Sequence, residues 1–471
     1  MNTLVWFQRN LRVASNPALD AAYQASMQEG GAVVGAFFYD EQYTGEFCFA
    51  DESIPRCGEL RAGFLWQSLL NLRNNLQQIP LIIQCGEAAG LLVELCQQLD
   101  IQEVHTQKLW AHEEQFVAET VRSTLEAIGI TLVEHECYTL LTSTIVTARH
   151  PDALSSFSKF RRKVEREVGR DVEHSAEVAF HSLINSSERT EAQRVMLQEV
   201  AALSENRTES PIPIAEVSEP RSVLPFVGGE SAGEQRLSHY CQQALGHYKE
   251  TRNGLIGADY SSKLSPWLNL GCISPQQVLR AVREYEHRHG ANASTEWLIV
   301  ELLWRDFFQY LAAQRRGALF CGRAEPMGSS RAGAEKMGSV SAVSDTALTD
   351  PSLYGTKASE FAQWRTGTTE SEFINANMRE LNSTGFMSNR GRQNVASMLI
   401  HDLHIDWRWG AAWFEAKLLD YDPGSNYGNW QYIGGLAANP RGGSWFNIEK
   451  QANVYDTDGA YRALWASSQL E

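Results

Sequence analysis

Four segments in the second half of the sequence combine hydroxyls, carboxylates, cations and indoles more densely than a helical core requires. The first is Tyr248-Lys-Glu-Thr-Arg-Asn253, followed by Ala258-Asp-Tyr-Ser-Ser-Lys-Leu-Ser-Pro-Trp267. The hydroxyls of Ser261, Ser262 and Ser265, together with Lys263, suit a phosphate held at a turn that enters a helix. A Ser-x-Ser-Pro string also makes an ordinary helix N-cap, so this segment alone leaves both interpretations open.

The second segment runs from Trp297 to Phe308 with helical spacing. On a helix, Glu301, Trp304 and Phe308 share one face, and Glu301 and Arg305 have the i, i+4 spacing of an ion pair. A carboxylate beside an indole on a pocket wall would bind a nucleobase by stacking on it and hydrogen bonding to its edge. A surface salt bridge beside core aromatic residues is the alternative.

The third segment surrounds a turn at Gly385-Phe-Met with four planar polar side chains: Arg379, Asn389, Arg390 and Arg392. Guanidinium groups beside an amide at the start of a helix can hold phosphates in a bidentate manner. Solvated arginines on a helix surface would give the same pattern, and the segment alone does not decide between the two.

The fourth segment runs from Asp406-Trp-Arg-Trp409 to Asp420-Tyr-Asp422 and on to Asn426 and Trp430. An Asp-x-Asp string near glycines suits a metal loop, but no EF-hand continuation follows, which argues against calcium. Carboxylates at this spacing can instead accept hydrogen bonds from a cofactor. We therefore expect no metal site.

Composition excludes several classes of protein. The 471 residues are 43% hydrophobic and 21% charged, which is typical of a multidomain globular chain. The net charge of −16 argues against a uniformly basic nucleic-acid coat. Residues 1–150 hold 8 Lys and Arg against 18 Asp and Glu, whereas residues 240–320 hold 9 against 7, so a local phosphate-binding surface is still allowed.

Eight cysteines without a CxxC pair indicate a reducing compartment rather than a disulfide framework or a zinc ribbon. No signal-peptide pattern and no apolar run of membrane-spanning length is present. We therefore expect a cytoplasmic protein that does not bind a membrane.

The first 137 residues alternate short apolar runs with helical stretches. The runs that predict strands are Leu4–Phe7, Ala32–Phe38, Leu81–Gln84, Gln102–His105 and Thr131–Cys137. The stretches that predict helices are Leu60–Leu76, Leu91–Leu99 and Glu113–Ile128. This alternation predicts an α/β domain with a doubly wound parallel sheet over residues 1–137. Neither GxGxxG nor a P-loop is present, so a dinucleotide or nucleoside triphosphate fingerprint is not supported.

The remaining residues divide into a linker and a helical part. Residues 138–220 are rich in Ser, Glu and Pro in places, which predicts a linker with one helix near residues 154–168. Residues 221–471 read as helices broken by Gly, Pro and Asn, which predicts an all-α domain. Within it, Cys321–Pro351 is rich in Gly, Ser and Ala and is expected to be a mobile loop.

Taken in order, these strings resemble the photolyase/cryptochrome family, and specifically its cryptochrome DASH branch. Val5-Trp-Phe-Gln-Arg-Asn-Leu-Arg12 is similar to the family's opening strand and turn. The strings that begin at Tyr248, Glu301, Asn377 and Asp420 resemble the DASH forms of its flavin-domain motifs. The resemblance covers nearly the whole chain and implies a photolyase-like fold, with an antenna-binding α/β domain before a helical FAD-binding domain.

The resemblance implies two cofactors. The residues that it places around FAD are Tyr248, Ser261, Ser262, Lys263, Leu264, Ser265, Glu301, Arg305, Asn389, Arg392, Asp420, Asp422 and Asn426. Of these, Asn426 matches the residue that faces flavin N5. A 5,10-methenyltetrahydrofolate antenna is implied at the domain boundary on Glu114, with Glu113 as the weaker match. The alternative for Glu114 is an exposed glutamate favoured by the helix dipole.

The implied activity is that of a deoxyribodipyrimidine photolyase, a carbon–carbon lyase that repairs cyclobutane pyrimidine dimers with light, mainly in single-stranded DNA. The lesion flips into the pocket, excited reduced flavin donates an electron, the ring splits, and the electron returns. Trp304 and Tyr432 match the residues that sandwich the dimer. Glu301 and Asn389 match those that hydrogen-bond it. The residues expected to contact DNA are Arg390, Arg392 and Trp304.

The family reduces its flavin through a chain of three tryptophans. Trp430 and Trp407 match the first two, but Tyr354 stands where the third is expected. This departure predicts slower or rerouted electron transfer through Trp409 or Trp364.

Other departures affect the strand contacts. Thr369-Glu-Ser-Glu372 and Asn375 stand where the family shows Thr-Gly-Tyr-Pro and an aspartate, and Ser444 replaces an arginine. Added carboxylates and a lost arginine are expected to weaken phosphate contacts. The competing functions are a blue-light receptor or nucleic-acid-binding regulator that keeps FAD, and a thermal flavin oxidoreductase. We expect a monomer.

Overall fold

A parallel sheet organises the amino-terminal part of the chain. The computed structural model describes residues 1–49, 52–150, 152–168, 191–203, 209–216, 218–320, 357–437, 439 and 442–466. In these residues, the sheet has five strands in the order β5-β2-β1-β6-β7. Their bounds are β1 Asn2–Phe7, β2 Val33–Tyr39, β5 Leu81–Cys85, β6 Ile101–Gln107 and β7 Thr131–His135. Strand order on both sides of β1 confirms the predicted doubly wound sheet.

A small antiparallel hairpin, β3 (Glu46–Phe49) with β4 (Glu52–Pro55), follows β2 and was not predicted. The helices of this part are α1 Pro17–Gln28, α2 Glu41–Thr44, α3 Glu59–Leu76, α4 Ala88–Gln98 and α5 His112–Glu126. Strands β1 and β2 are buried along almost their whole length because helices cover both faces of the sheet, which explains why their sequences are continuous apolar runs.

The connection between the two parts contains more structure than expected. Helix α6 (Phe157–Val164) lies where the single linker helix was predicted. A second helix, α7 (Glu191–Leu203), was missed. Helix α7 buries Met196 against the sheet. The side chain of its Gln193 accepts a hydrogen bond from the Val33 amide at 3.0 Å, at the start of β2. The expectation of one helix is therefore wrong, because α7 lies among the Ser- and Glu-rich residues that suggested a linker.

The rest of the chain is helical, as predicted. Its α-helices are α8 Glu230–Gln243, α9 Tyr248–Thr251, α10 Ser265–Asn269, α11 Pro275–His289, α12 Ala293–Arg315, α13 Ala358–Thr366, α14 Glu372–Thr384, α15 Asn389–Ser397, α16 Trp407–Lys417, α17 Pro423–Ile433, α18 Ile448–Tyr455 and α19 Ala460–Leu464. The predicted Cys321–Pro351 loop and Tyr354 lie outside the described residues. Among the helices that the structure describes, none is long and apolar enough to cross a membrane.

One apolar core crosses the boundary between the sheet and the helices. Val5 and Phe7 of β1 belong to the same buried cluster as Trp267 and Phe307 of the helical part. Burial of apolar surface on this scale holds the two parts together. Backbone polar groups are matched across the boundary as well, since the Leu11 amide donates to the Leu270 carbonyl at 3.0 Å.

A buried guanidinium lies in the middle of this boundary. Arg9, which follows β1, is 3% exposed. It pairs with Glu114 of α5 at 3.1 Å and lies 3.9 Å from Asp422, the residue that precedes α17. Arg9 also donates to the side chain of Asn269 and to the backbone carbonyl of Tyr421. A charge at this depth is tolerated because carboxylates and carbonyls surround it.

Replacement of this guanidinium should therefore destabilise the whole chain. We expect Arg9→Met to lower the free energy of unfolding by about 3–5 kcal/mol, because it leaves buried carboxylates without their cation. Urea denaturation at pH 7 measures the loss. Arg122→Met, which breaks more exposed ion pairs on α5, should cost less than about 1 kcal/mol. Equal losses in the two variants would show that the boundary charge is not a special determinant of stability.

Candidate functional site

Helix α12 carries one wall of the candidate site. Trp297, Glu301, Trp304 and Arg305 are half-buried, whereas the neighbouring Leu298 is buried. These four positions have the i, i+4, i+7 and i+8 spacing of a single helix face. The sequence prediction that Glu301 and Trp304 share a face agrees with this placement.

Helix α17 carries the facing wall, and two glycines let it approach α12. A Cβ on Gly428 would lie 2.4 Å from a ring carbon of Phe308, and one on Gly424 would lie 3.1 Å from the Gln309 amide nitrogen. The two glycines are one turn apart on one side of α17, so its backbone packs directly on α12. This close approach sets the distance between the side chains of α12 and those of Asn426 and the following turns.

Trp304 and Tyr432 meet at right angles. Their ring centroids are 5.9 Å apart and their planes differ by 84°. Phe157, from α6, stacks on the indole of Trp304 with centroids 3.5 Å apart and planes 10° from parallel. Phe308 stacks on the same indole at 5.6 Å. The structure thus brings the two predicted sandwich residues together and adds Phe157, which sequence reasoning missed because no local pattern links the connection to α12.

Glu301 is held by two donors. Its Oε1 accepts hydrogen bonds from Arg252 at 2.6 Å and from the Trp297 indole at 3.0 Å. Burial raises the pKa of the Glu301 carboxyl, and the positive charge of Arg252 opposes that rise. Neither Arg252 nor Trp297 was among the predicted site residues, although both lie inside segments that the sequence analysis singled out. Their pairing with Glu301 is a tertiary contact that spacing could not reveal.

A cavity opens between α15, α16 and α17. The predicted site residues that line it are Asn389, Arg392, Asp420, Asp422, Asn426 and Trp430. Arg392 donates to Asp420 Oδ2 at 2.9 Å. Arg392 is therefore engaged by a carboxylate inside this cavity.

Two acceptors in this cavity lack a partner. The Asn426 amide donates to the Ala411 carbonyl at 2.9 Å, which leaves its Oδ1 buried and unbonded by the described residues. Asp420 Oδ1 is likewise buried without a hydrogen bond from them. Buried acceptors are rarely left in this state unless a ligand or water supplies the donor. The two oxygens therefore fit a bound group that carries N–H or O–H donors.

Asp422 differs from these two residues because the protein itself satisfies it. Its Oδ1 accepts from Gln309 and from the Ser425 amide, each at 2.6 Å. Its Oδ2 accepts from the Tyr138 hydroxyl at 2.9 Å. The positive charges of Arg9 and Arg305 lower the pKa of Asp422, although burial alone would raise it. Asp422 borders the cavity as an ionised residue with its oxygens already engaged.

One arginine, Arg236, holds the backbone of the predicted phosphate turn. Arg236 donates to the Ser261 carbonyl at 3.1 Å and to the Ser262 carbonyl at 2.9 Å. Lys263 adopts a positive φ of 53°, is buried, and donates to the Ala258 carbonyl at 2.8 Å. Burial lowers the pKa of Lys263 to about 6. The negative charges of Glu380 and Asp259 already oppose this fall in the pKa, so the amine is largely neutral near pH 7.

Four further predicted cofactor residues lie around these walls. Leu264 is buried before α10, and Ser265 is the exposed first residue of that helix. Tyr248 is buried at the start of α9. Arg305 stacks on Tyr138 with its guanidinium carbon 4.0 Å from the ring centroid, and it also donates to the Tyr138 carbonyl. Arg305 therefore joins α12 to the connection.

The candidate antenna carboxylates differ in accessibility. Glu114 is 5% exposed, pairs with Arg9, and accepts a hydrogen bond from the Ala111 amide at 3.2 Å. Burial raises its pKa to about 7. The alternative of an exposed glutamate at the helix start is therefore wrong for Glu114. Glu113 has 15% of its side chain exposed and pairs with Arg56 at 3.0 Å.

The tryptophans of the helical part form an extended aromatic cluster. Trp430 lies in edge contact with Trp364, at 6.3 Å between ring centroids. Phe361 packs on Trp364 at 5.9 Å and on Trp409 at 5.3 Å. These contacts join both residues of the predicted alternative route to Trp430.

Trp407, the predicted second member of the chain, has a ring contact with Tyr427 at 6.1 Å. It belongs to the same buried cluster as Trp430.

The departures in the 369–375 region have a structural explanation. The Asn375 side chain is 1% exposed. It accepts from the Thr369 amide at 2.8 Å and donates to the Thr369 carbonyl at 2.8 Å. Asn375 thus closes the turn before α14.

Arg390, the predicted strand contact, donates to Asn253 at 3.1 Å and covers the Tyr455 ring at 4.6 Å.

This architecture is that of a two-part flavoprotein, with a doubly wound sheet before a helical domain that holds the cavity. Residues 3–178 match the family model described as DNA photolyase, and residues 297–469 match that of the FAD binding domain of DNA photolyase. The cavity residues and their two free acceptors lie within the second of these matches. The two unsatisfied oxygens in the cavity fit the hydrogen-bond donors of a flavin ring system.

The relatives define the branch. A cryptochrome DASH from Natronomonas pharaonis is 37% identical across 98% of this chain and 89% of its own length. One from Synechocystis sp. is 36% identical across 98% and 86%, respectively. The crystal structure of Synechocystis sp. PCC6803 cryptochrome matches with a TM-score of 0.77 and 34% identity, covering 99% of this chain and 88% of that one. The chain belongs to the photolyase/cryptochrome family, in its cryptochrome DASH branch.

The close approach of α17 to α12 can be tested with one methyl group. Gly428→Ala should lower the free energy of unfolding by about 1–3 kcal/mol, because the new Cβ overlaps the Phe308 ring. Gly434→Ala is the matched control, since a Cβ there would meet its nearest atom at an ordinary 3.4 Å. It should change stability by no more than about 0.5 kcal/mol. Chemical denaturation compares the two. A Gly428→Ala protein as stable as the Gly434→Ala protein would contradict the packing argument.

Proposed function

We propose that this protein repairs cyclobutane pyrimidine dimers with light, mainly in single-stranded DNA, as a deoxyribodipyrimidine photolyase of the DASH type. One observation carries the proposal. Trp304 of α12 and Tyr432 of α17 form a right-angled aromatic corner, and α17 also borders the cavity with Asn426. Such a corner suits a pair of linked bases, which present two apolar surfaces and polar edges.

We assign the cofactor side of the site to residues that still have hydrogen-bonding capacity. Asn426 Oδ1 and Asp420 Oδ1 would accept from the flavin ring, and Ser261, Ser262 and Lys263 would lie along the phosphates. Bound FAD supplies the light-driven one-electron chemistry. A neutral amide at Asn426 would favour reduced flavin more than a carboxylate would. Asp422 would act mainly by holding α17 in place.

We assign the lesion side to α12 and α15. Glu301 is half-buried, and burial raises its pKa; its carboxyl would hydrogen-bond the edge of a base. Arg252 and Trp297 fix the orientation of that carboxyl. Asn389 is exposed at the start of α15 and would supply an amide to the lesion. Trp304 would supply the apolar surface.

A preference for single-stranded substrate follows from energetics. A duplex lesion must be unpaired and unstacked before it enters the pocket, which costs a few kcal/mol. A chain of net charge −16 recovers little of that cost through phosphate contacts. In a single strand the cost is already absent, so a modest contact such as that of Arg390 is sufficient.

The antenna belongs to the proposal as well. We place 5,10-methenyltetrahydrofolate at the boundary and move its carboxylate contact from Glu114 to Glu113, because Glu113 is the more accessible of the two. We also propose a monomer in the cytoplasm. The buried thiols of Cys57, Cys96 and Cys272, which the structure shows unpaired, agree with a reducing compartment.

The deciding experiment measures dimer loss under blue light on single-stranded and duplex oligonucleotides of the same sequence. We expect rapid loss on the single strand and little on the duplex. Trp304→Ala should keep the absorption of bound FAD and lose repair, because it removes the apolar wall and none of the cavity residues. A wild-type protein that binds FAD but repairs neither substrate would reject the proposal and favour a blue-light receptor.

The route of electron transfer to the flavin site provides a second test. We expect Trp364→Phe to slow photoreduction of bound FAD more than Trp407→Phe does, because Trp364 contacts Trp430 directly. Absorbance changes under illumination with an external reductant measure the rate. Trp66→Phe, in the core of the sheet part, is the control and should have no effect. If Tyr354→Phe slowed the reaction as much as Trp364→Phe, the proposed detour would be wrong.

A further inference from the structure

The indole of Trp304 is clamped by a residue from outside its own helical domain. Phe157 begins α6 in the connection, is 9% exposed, and stacks on the indole at 3.5 Å between centroids. The same ring meets Phe307 edge-on at 5.8 Å. Phe157 therefore fills the corner between two aromatic residues of α12 and cannot move without disturbing both.

Helices α12 and α17 also hold the indole. Phe308 stacks on Trp304 with centroids 5.6 Å apart and planes 24° from parallel. Phe308 is in turn packed against the backbone of α17 at Gly428. An indole packed against two rings has little freedom to rotate about its side-chain torsions. The half-buried Trp304 also contacts Tyr432, its partner in the right-angled corner.

We propose that Phe157 is a positioning residue for the lesion: it locks the plane of Trp304 so that the corner with Tyr432 is preformed. The inference rests on the proposed function, because it assigns Trp304 a role in lesion binding. A preformed wall avoids the entropy cost of ordering a side chain when the ligand binds. Phe157 would thereby act on the affinity for damaged strands and not on the affinity for undamaged strands.

Phe160 offers a matched control on the same helix. It is buried, lies one turn after Phe157, and packs on Phe307 at 5.5 Å. Its ring contacts in the structure are with Phe157 and Phe307, whereas Phe157 also meets Trp304. Phe157→Leu and Phe160→Leu thus remove similar apolar surface from one helix, but only the first removes the ring stacked on the indole.

The experiment compares dissociation constants for a dimer-containing single strand and for the same strand undamaged, in the dark, with FAD bound. Phe157→Leu should weaken damaged-strand binding about threefold to tenfold, as expected for the loss of one aromatic pair. Its binding to undamaged strand should equal that of wild type. Phe157→Tyr should restore lesion affinity because it keeps the ring. Under illumination, KM should rise in Phe157→Leu while kcat stays near the wild-type value.

Two results would overturn the inference. The first is an unchanged ratio of damaged to undamaged affinity in Phe157→Leu. The second is an equal fall of that ratio in Phe160→Leu, because the effect would then come from the packing of α6. Failure of the proposed function would look different: wild type itself would bind damaged and undamaged strands equally.

Discussion

The carboxylate of Asp422 is the group on which the parts of the chain converge. It receives hydrogen bonds from Gln309 of α12 and from Tyr138 of the connection, and it faces Arg9 from the sheet. Its pKa lies below the usual range because Arg9 and Arg305 outweigh the effect of burial. A buried anion is stable only while each of these groups stays in place. These contacts with Asp422 therefore hold the sheet part and the helical part together, and they also hold the start of α17 in place.

This arrangement separates the residues that hold the site from those that are free to bind. Both carboxylate oxygens of Asp422 accept hydrogen bonds from the protein. Asp420 and Asn426, in contrast, each keep one buried acceptor that the described residues do not engage. The three residues lie within seven positions of one another: Asp420 precedes α17, Asp422 is its satisfied N-cap, and Asn426 lies in its first turns. The same short segment at the start of α17 therefore provides both the rigid contacts near the cavity and the unsatisfied acceptors inside it.

The sequence predicted the elements whose pattern is local and missed the contacts that are not. Strands β1 and β2 are apolar runs because they are buried on both faces, and such runs are visible without a structure. Helix α7 was missed because only part of one face, including Met196, meets the core. Phe157 was missed because its partner Trp304 is distant in the chain. Which oxygen of Asp420 or Asp422 remains free depends on donors from other segments, and no spacing rule contains that information.

The pocket of this acidic protein is close to electrically neutral, and that has consequences for selectivity. Arg252 is paired with Glu301, and Arg392 is paired with Asp420. Cations that are already paired release few counterions when a strand binds, so sequence-independent attraction is weak. Under the proposed function, recognition would then depend on aromatic surfaces and on a hydrogen-bonding carboxyl, which respond to the shape of a base rather than to its phosphate. Since a neutral corner would gain little from undamaged DNA, the net charge of −16 would limit nonspecific binding, and lesion binding would depend on Trp304 and its neighbours.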